Sequence, residues 1–170
     1  MQIEQKLINY FEREHLLKLK SGFSYQKDDP FIERIGYLTK DQFLQIAKWK
    51  TERPSKWYKT NESEFVEEVT KISFNAQTER LKIEVLRLLN GVDYPVASAI
   101  LHFGCDPAKY PIIDFRTIWS LYGIENRQMK YDFAFWDKYR TDCLTLAAEY
   151  DMSIRELDKA LWQYSKENQD

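Results

Sequence analysis

Glycine and proline are rare in this sequence, and their scarcity limits what the chain can fold into. The 170 residues contain only five glycines and five prolines, the two residue types that interrupt helices most strongly. Apolar residues recur at helical intervals, for example at Leu81, Val85 and Leu88. We therefore predict an all-α chain.

Periodicity and capping signals predict about eight helices. The clearest is the last, where Ser153 and Glu156 form a capping-box pattern ahead of an apolar stripe. The stretch from Ser21 to Leu38 contains two glycines, a proline and two adjacent aspartates, so we predict a long loop there. The predicted helices cover residues 2–19, 40–50, 62–74, 77–89, 94–103, 114–122, 132–149 and 154–166.

Composition excludes several classes of protein. Lys and Arg total 25 against 27 Asp and Glu, a formal net charge of -2, which rules out a uniformly basic, histone-like protein but allows a local basic face. No apolar run approaches the roughly 18 residues of a membrane span, and the N-terminus has no apolar signal core. Two cysteines and two histidines are too few for a four-thiolate cluster. We expect a cytoplasmic protein with reduced thiols, no metal site and no membrane partner.

The segment between Leu88 and Leu121 has the strongest functional signal. One helix ends at Leu89, a tight turn follows over residues 90–93, and Pro95 fits the first turn of the next helix. Gly91 suits a positive φ in that turn. This pattern predicts a helix, a hairpin and a second helix whose first backbone N–H groups suit a phosphate. An apolar pair then leads into Asp114 at the start of another helix.

This segment resembles the helix-hairpin-helix DNA glycosylases of base-excision repair. Residues 89–93 align with the family's hairpin, Ala97 with its alanine, and residues 112–114 with the apolar run that ends in the catalytic aspartate. The resemblance implies a compact helix-hairpin-helix glycosylase-like fold, in one domain or two small lobes. A hairpin lobe would centre on residues 77–123, and the remaining lobe would form from residues 1–75 and 130–170.

The resemblance also implies an activity, the cleavage of the N-glycosidic bond of a damaged or modified base in double-stranded DNA. Asp114 would be the catalytic residue, because a carboxylate beside C1′ stabilises an oxocarbenium-like sugar and orients water. Pro95 occupies the position of the nucleophilic lysine of bifunctional members, so the enzyme would be monofunctional. Asp93 replaces the second hairpin glycine. The family's iron–sulfur loop is absent, and the only cofactor allowed for is a monovalent cation at the hairpin. We expect a monomer.

A second feature is the segment Lys48–Lys59, which contains five cations, one anion and three aromatic residues. Cations bind phosphates and aromatic rings stack on displaced bases. Together with the hairpin and Arg116, this segment supplies the residues expected to contact DNA, and its aromatic residues are expected to form the base pocket. The predicted DNA contacts are Asn90, Gly91, Val92, Asp93, Tyr94, Arg116, Lys48, Lys50, Arg53 and Lys56, and the predicted pocket residues are Trp49, Trp57 and Tyr58.

Structural interpretations of these residues stay open at this stage. Aspartate is a common N-cap, so Asp114 can serve only to begin a helix. Trp49 and Trp57 can pack in the core while the lysines are solvated, and Arg116 can be an ordinary surface residue. Two other functions therefore remain, a non-catalytic helix-hairpin-helix module that binds DNA and a helical domain that binds another protein.

Overall fold

The computed structural model of the chain describes residues 5–169, and all regular structure in that range is helical. This confirms the all-α prediction. Two short 3₁₀ turns cover Val85–Leu88 and Asn126–Gln128, and a π-helical turn covers Leu101–Cys105. The α-helices are α1 (Arg13–Ser21), α2 (Lys40–Lys50), α3 (Ser55–Tyr58), α4 (Ser63–Asn75), α5 (Glu79–Glu84), α6 (Tyr94–Ile100), α7 (Phe115–Tyr122), α8 (Phe133–Glu149) and α9 (Ile154–Asn168).

The first helix is shorter than predicted. Residues 5–12 are not helical, so the prediction of a helix over 2–19 is wrong there; its first three residues lie outside the described range. The Ile8 backbone N–H donates to the Leu121 carbonyl at 2.9 Å, and the buried Phe11 ring meets Tyr164 edge-on at 5.0 Å. The segment's polar groups and apolar side chains thus find partners outside a helix, although their spacing is helical. None of the described helices is long and apolar enough to cross a membrane.

Residues 27–110 form one compact unit, called here the hairpin unit. Helix α2 packs on α6, and α4 packs on α5 and the 3₁₀ turn that follows it. The fully buried side chains of Phe43, Ile46, Leu86 and Ile100 lie in its core. Because α2 and α4 pack against the helices around residues 89–95, this unit reaches back to residue 27, further than the expected lobe at 77–123.

The described parts of residues 1–26 and 111–170 form a second compact unit, called here the terminal unit. Helix α9 packs against α1, α7 and α8. Trp136, Tyr139, Leu121 and Leu161 have no exposed surface and lie in the core of this unit. The capping box predicted at Ser153 is present at the start of α9, where the Ser153 hydroxyl accepts from the Glu156 backbone N–H.

Candidate nucleic-acid interface

The hairpin predicted at residues 89–94 connects the 3₁₀ turn to α6. Gly91 has a φ of 83°, in the left-handed region that favours glycine. The Val92 backbone N–H donates to the Leu89 carbonyl at 3.1 Å and closes the turn. Asp93 is the N-cap residue of α6, with Pro95 in the first turn of the helix. The local conformation is therefore the one that the sequence pattern predicts.

The hairpin is fixed from below by the segment that follows α3. The buried Asn61 side chain accepts from the Asn90 backbone N–H at 2.8 Å and donates to the Asn90 carbonyl at 3.1 Å. The Asn90 side chain donates to the Thr60 hydroxyl at 2.9 Å. A Cβ added to Gly91 would lie 2.8 Å from a ring carbon of Tyr58. The hairpin therefore packs on residues 57–61, which are the end of the segment Lys48–Lys59, called here the basic segment, and the turn that follows it.

Asp93 introduces a carboxylate at the hairpin, and its charge is compensated. Its Oδ1 accepts from the Tyr94 backbone N–H at 2.9 Å and from the Arg87 guanidinium at 3.1 Å. The Arg87 guanidinium also lies over the Tyr94 ring, 4.8 Å from its centre. An exposed ion pair adds little to stability, but it offsets the negative charge that would repel a phosphate.

The residues expected to contact DNA differ in what they expose. Val92 and Tyr94 are buried, and the Tyr94 hydroxyl donates to Glu84 at 3.1 Å. The backbone N–H groups of both residues already donate within the hairpin, so neither offers a donor to a phosphate. Asn90, Gly91 and Asp93 are exposed. In the basic segment, Arg53 and Lys56 are exposed whereas Lys48 and Lys50 are half-buried.

The three aromatic residues expected to form the base pocket have different surroundings. Trp49 is buried and meets the Phe103 ring edge-on at 5.0 Å. Tyr58 has no exposed surface and lies beneath the hairpin, and burial raises its pKa to about 12. Trp57 is 53% exposed, with the Lys56 ammonium 5.1 Å from the centre of its ring. Of the three, Trp57 is the ring that a base could reach from solvent.

Asp114 lies in the terminal unit, half-buried at the start of α7. Its backbone is extended, with a φ of -146°. Its Oδ1 accepts from the Arg116 backbone N–H at 2.9 Å, and its own N–H donates to the Thr117 hydroxyl at 3.2 Å. Asp114 therefore caps α7, as the structural interpretation expected.

A buried polar network holds the backbone around Asp114. The Ile112 N–H donates to Asp158 Oδ2 at 3.0 Å, and the Tyr139 hydroxyl lies 3.2 Å from the Ile112 carbonyl oxygen and 2.8 Å from Thr117 Oγ1. Burial raises the pKa of Tyr139 well above its ordinary value, so its hydroxyl stays a donor. Asp158 is not among the residues predicted from the sequence, although the sequence contains a signal for it. It lies four residues after Ile154 on the apolar stripe of α9, where a charged residue is unexpected.

Arg116, the other predicted DNA contact in the terminal unit, turns toward α9. Its guanidinium lies 5.4 Å from the centre of the Trp162 ring and 5.2 Å from that of Phe115. One guanidinium nitrogen is 3.5 Å from the Ser165 hydroxyl. Arg116 is therefore part of a group of cations and aromatic rings along α9 that the sequence analysis did not consider.

The described residues contain no group of three His, Cys, Asp or Glu side chains that could hold a metal ion. His102 is buried with its Nδ1 2.8 Å from the Tyr110 carbonyl oxygen. Burial also raises the pKa of both cysteine thiols, which keeps them protonated and poor nucleophiles. The monovalent cation expected at the hairpin stays a prediction.

Comparison with known proteins identifies no relative. The chain matches none of the protein-family models, none of the curated proteins and none of the solved structures with which it was compared. The chain has an all-helical fold over residues 5–169, and a fold class by itself does not determine a function.

Proposed function

We propose that this chain is a monofunctional DNA N-glycosylase that binds duplex DNA through the hairpin. The observation that carries the proposal is the hairpin, with Gly91 in the left-handed conformation and Asn61 clamping Asn90 from below. Within residues 5–169, no protein hydrogen bond occupies the backbone N–H groups of Gly91 and Asp93, and both residues are exposed. Exposed N–H groups in a rigid turn bind phosphate oxygens without reorganising.

The surroundings of the hairpin also suit DNA. Lys56 and Arg53 supply exposed positive charge in the segment that packs beneath it, and cations supply most of the sequence-independent affinity for a phosphate backbone. Trp57 exposes about half of its surface next to Gly91, and an exposed indole can stack on a base. Backbone donors, cations and an aromatic ring are the components of a nucleic-acid contact.

In the proposed reaction the bond between sugar C1′ and the base nitrogen breaks, and its electron pair leaves with the base. The positive charge left on the sugar is stabilised by the Asp114 carboxylate. A water molecule adds to C1′ and loses a proton to the carboxylate, which passes it to solvent, and the departing base nitrogen takes up one proton from solvent. The products are the free base and an abasic sugar. Pro95 offers no amine for a Schiff base, so the strand is not cut by that route.

The test is release of a free base from duplexes that carry a panel of damaged or modified bases. Asp114→Asn is the matched variant, because asparagine caps a helix as well as aspartate does but carries no charge. We expect abasic product from the wild-type chain and a loss of at least about a hundredfold in Asp114→Asn. Absence of product across a broad panel, or full activity in Asp114→Asn, would contradict catalysis.

A second candidate is a DNA-binding module of the same fold without catalysis. The observation that favours it is the capping box, since one carboxylate oxygen of Asp114 is already committed to the Arg116 N–H. This candidate predicts salt-dependent duplex binding that survives Asp114→Asn. It also predicts that binding weakens when the cations of the basic segment are replaced by glutamine. If the chain shows no duplex binding at low salt, both candidates fail.

A further inference from the structure

The terminal unit carries a row of cations that neither the hairpin nor Asp114 accounts for. Helix α9 places Arg155, Lys159 and Lys166 at spacings of four and seven residues. Arg116 of α7 and Lys20 of α1 lie beside them. We call these five residues the α9 cationic face.

Aromatic rings lie against four of the five cations of this face. Arg155 and Lys159 each lie 5.5 Å from the centre of the Phe23 ring. Lys166 lies 5.4 Å from the centre of the Trp162 ring, the same distance as the Arg116 guanidinium. The two rings contact each other edge-on at 5.3 Å. Cation–π contacts restrict long side chains that would otherwise move freely, which lowers the entropic cost of binding an anion.

The spacing of the cations matches a linear polyanion. With a rise of 1.5 Å per residue, Arg155 and Lys159 are about 6 Å apart along the axis of α9, and Lys166 is about 16 Å from Arg155. A nucleic-acid strand in a helix carries one phosphate per 3.4 Å of axis, so this row spans about five nucleotides. A single small anion would use only one end of such a row.

The α9 cationic face carries a net positive charge and borders an open depression. One acidic residue lies among the residues that line this depression. Lys20, Phe23, Ser153, Arg155, Glu156 and Lys159 line an open depression of about 690 Å³. The Ser153 backbone hydrogen bond and then the Lys20 ammonium, 3.0 Å away, lower the pKa of Glu156 to about 2. Glu156 therefore offsets one of the five positive charges of the face at neutral pH.

We propose that the α9 cationic face binds the phosphate backbone of a nucleic-acid strand. A membrane surface fits less well, because the rings of Phe23 and Trp162 are half-buried and covered by cations, so no apolar side chain of this face projects for insertion. The inference goes beyond the proposed function, because it requires neither catalysis by Asp114 nor phosphate binding by the hairpin.

The test compares two triple variants of the full chain by fluorescence anisotropy with labelled single-stranded and duplex DNA. The first variant combines Arg155→Gln, Lys159→Gln and Lys166→Gln. The matched control combines Lys18→Gln, Arg127→Gln and Lys130→Gln, three exposed cations of the same unit that give the same change in net charge. We expect the first variant to bind about tenfold or more weakly, with a salt slope lower by about 2 on the single strand, and the control to stay near wild type.

A second pair of variants protects the test against misfolding. Lys166 and Lys130 are both exposed, so Lys166→Glu and Lys130→Glu should retain the wild-type circular dichroism spectrum and unfolding midpoint. Only Lys166→Glu is expected to weaken DNA binding. Equal effects in each matched pair would overturn the inference, as would binding to heparin or anionic vesicles without binding to either DNA.

Failure of this inference and failure of the proposed function give different results. If the glutamine variants of the basic-segment cations lose binding and the first triple variant does not, the α9 cationic face is not a DNA contact and the proposed function stands. If the first triple variant alone loses binding, the face is confirmed and the hairpin is not the main contact. A wild-type chain that binds neither DNA at low salt overturns both.

Discussion

Helices α6 and α7 both begin at an aspartate, Asp93 in the hairpin unit and Asp114 in the terminal unit, and the two are held differently. Asp93 is exposed, accepts a hydrogen bond from the next residue's N–H, and pairs with Arg87 at the surface. Asp114 is half-buried in a reciprocal capping box with Thr117. The same residue type thus begins both helices, but only the second is tied to a buried network.

The difference shows what each site depends on. At the hairpin, the backbone conformation of Gly91 and the clamp from Asn61 determine the shape, and the aspartate side chain is secondary. At α7, the side chains of Tyr139 and Asp158 fix the backbone from within the core. The stability of the hairpin should therefore depend on the size and φ of the residue at position 91. The stability of the start of α7 should depend on single hydroxyl groups in its side-chain network.

The largest expected effect is that of Gly91→Ala on the hairpin. A positive φ of 83° costs an L-residue roughly 1–2 kcal/mol, and the new Cβ would lie 2.8 Å from the Tyr58 ring, so we expect a total loss of about 3 kcal/mol. Gly36→Ala is the control, since Gly36 has a φ of 90° with nothing within 4 Å of the added atom. Urea denaturation measures both changes. Equal losses would mean that contact with Tyr58 does not shape the hairpin.

The next effect is that of Tyr139→Phe on the start of α7. This change removes the hydroxyl that lies near both Ile112 and Thr117 and takes a hydrogen-bond donor from the buried Ile112 carbonyl, at a cost of about 2 kcal/mol. Tyr58→Phe is the matched change beneath the hairpin, where the hydroxyl bonds to Thr51 instead of to the hairpin itself. It should cost less, about 1 kcal/mol. A larger loss in Tyr58→Phe would reverse the comparison.

A smaller difference is expected between the two aspartates themselves. Asp114→Ala removes an N-cap bond to the residue two positions on, at a cost of about 1 kcal/mol. Asp93→Ala removes a bond to the adjacent N–H and an exposed ion pair, and we expect about 0.5 kcal/mol or less. Thermal unfolding of the two alanine variants measures which of them loses more stability. Asp114→Asn is unfolded alongside them and should stay near wild type. If Asp93→Ala lowers the thermal stability more than Asp114→Ala does, the exposed ion pair with Arg87 contributes more to stability than an ordinary surface pair.

The sequence predicted features that depend on neighbouring residues. Helix α2 over 40–50, the capping box at Ser153 and the positive φ at Gly91 all follow from the identities of adjacent residues, and all are present. The features it missed depend on distant partners. Asn61 bonds to Asn90 across 29 positions, and Asp158 bonds to Ile112 across 46. Residues 5–12 have helical spacing but bond to a residue over a hundred positions away. Local pattern carries no information about such pairs.

The start of α9 extends the comparison to a third helix and gives the smallest expected effect. The Ser153 backbone hydrogen bond and Lys20 lower the pKa of Glu156 to about 2 in the folded chain. A carboxyl with a lowered pKa stabilises the fold above its ordinary value near 4.3, and this contribution disappears as the pH falls toward 2. The side chain is 38% exposed, so solvent screening limits the effect to less than about 1 kcal/mol.

The free energy of unfolding of the wild type and of Glu156→Gln is measured by urea denaturation from pH 6 downward. The difference between the two should shrink below about pH 4.5. A difference that does not change with pH would mean that Glu156 stabilises α9 through hydrogen bonding that the neutral amide reproduces, as the uncharged partner Thr117 does at the start of α7.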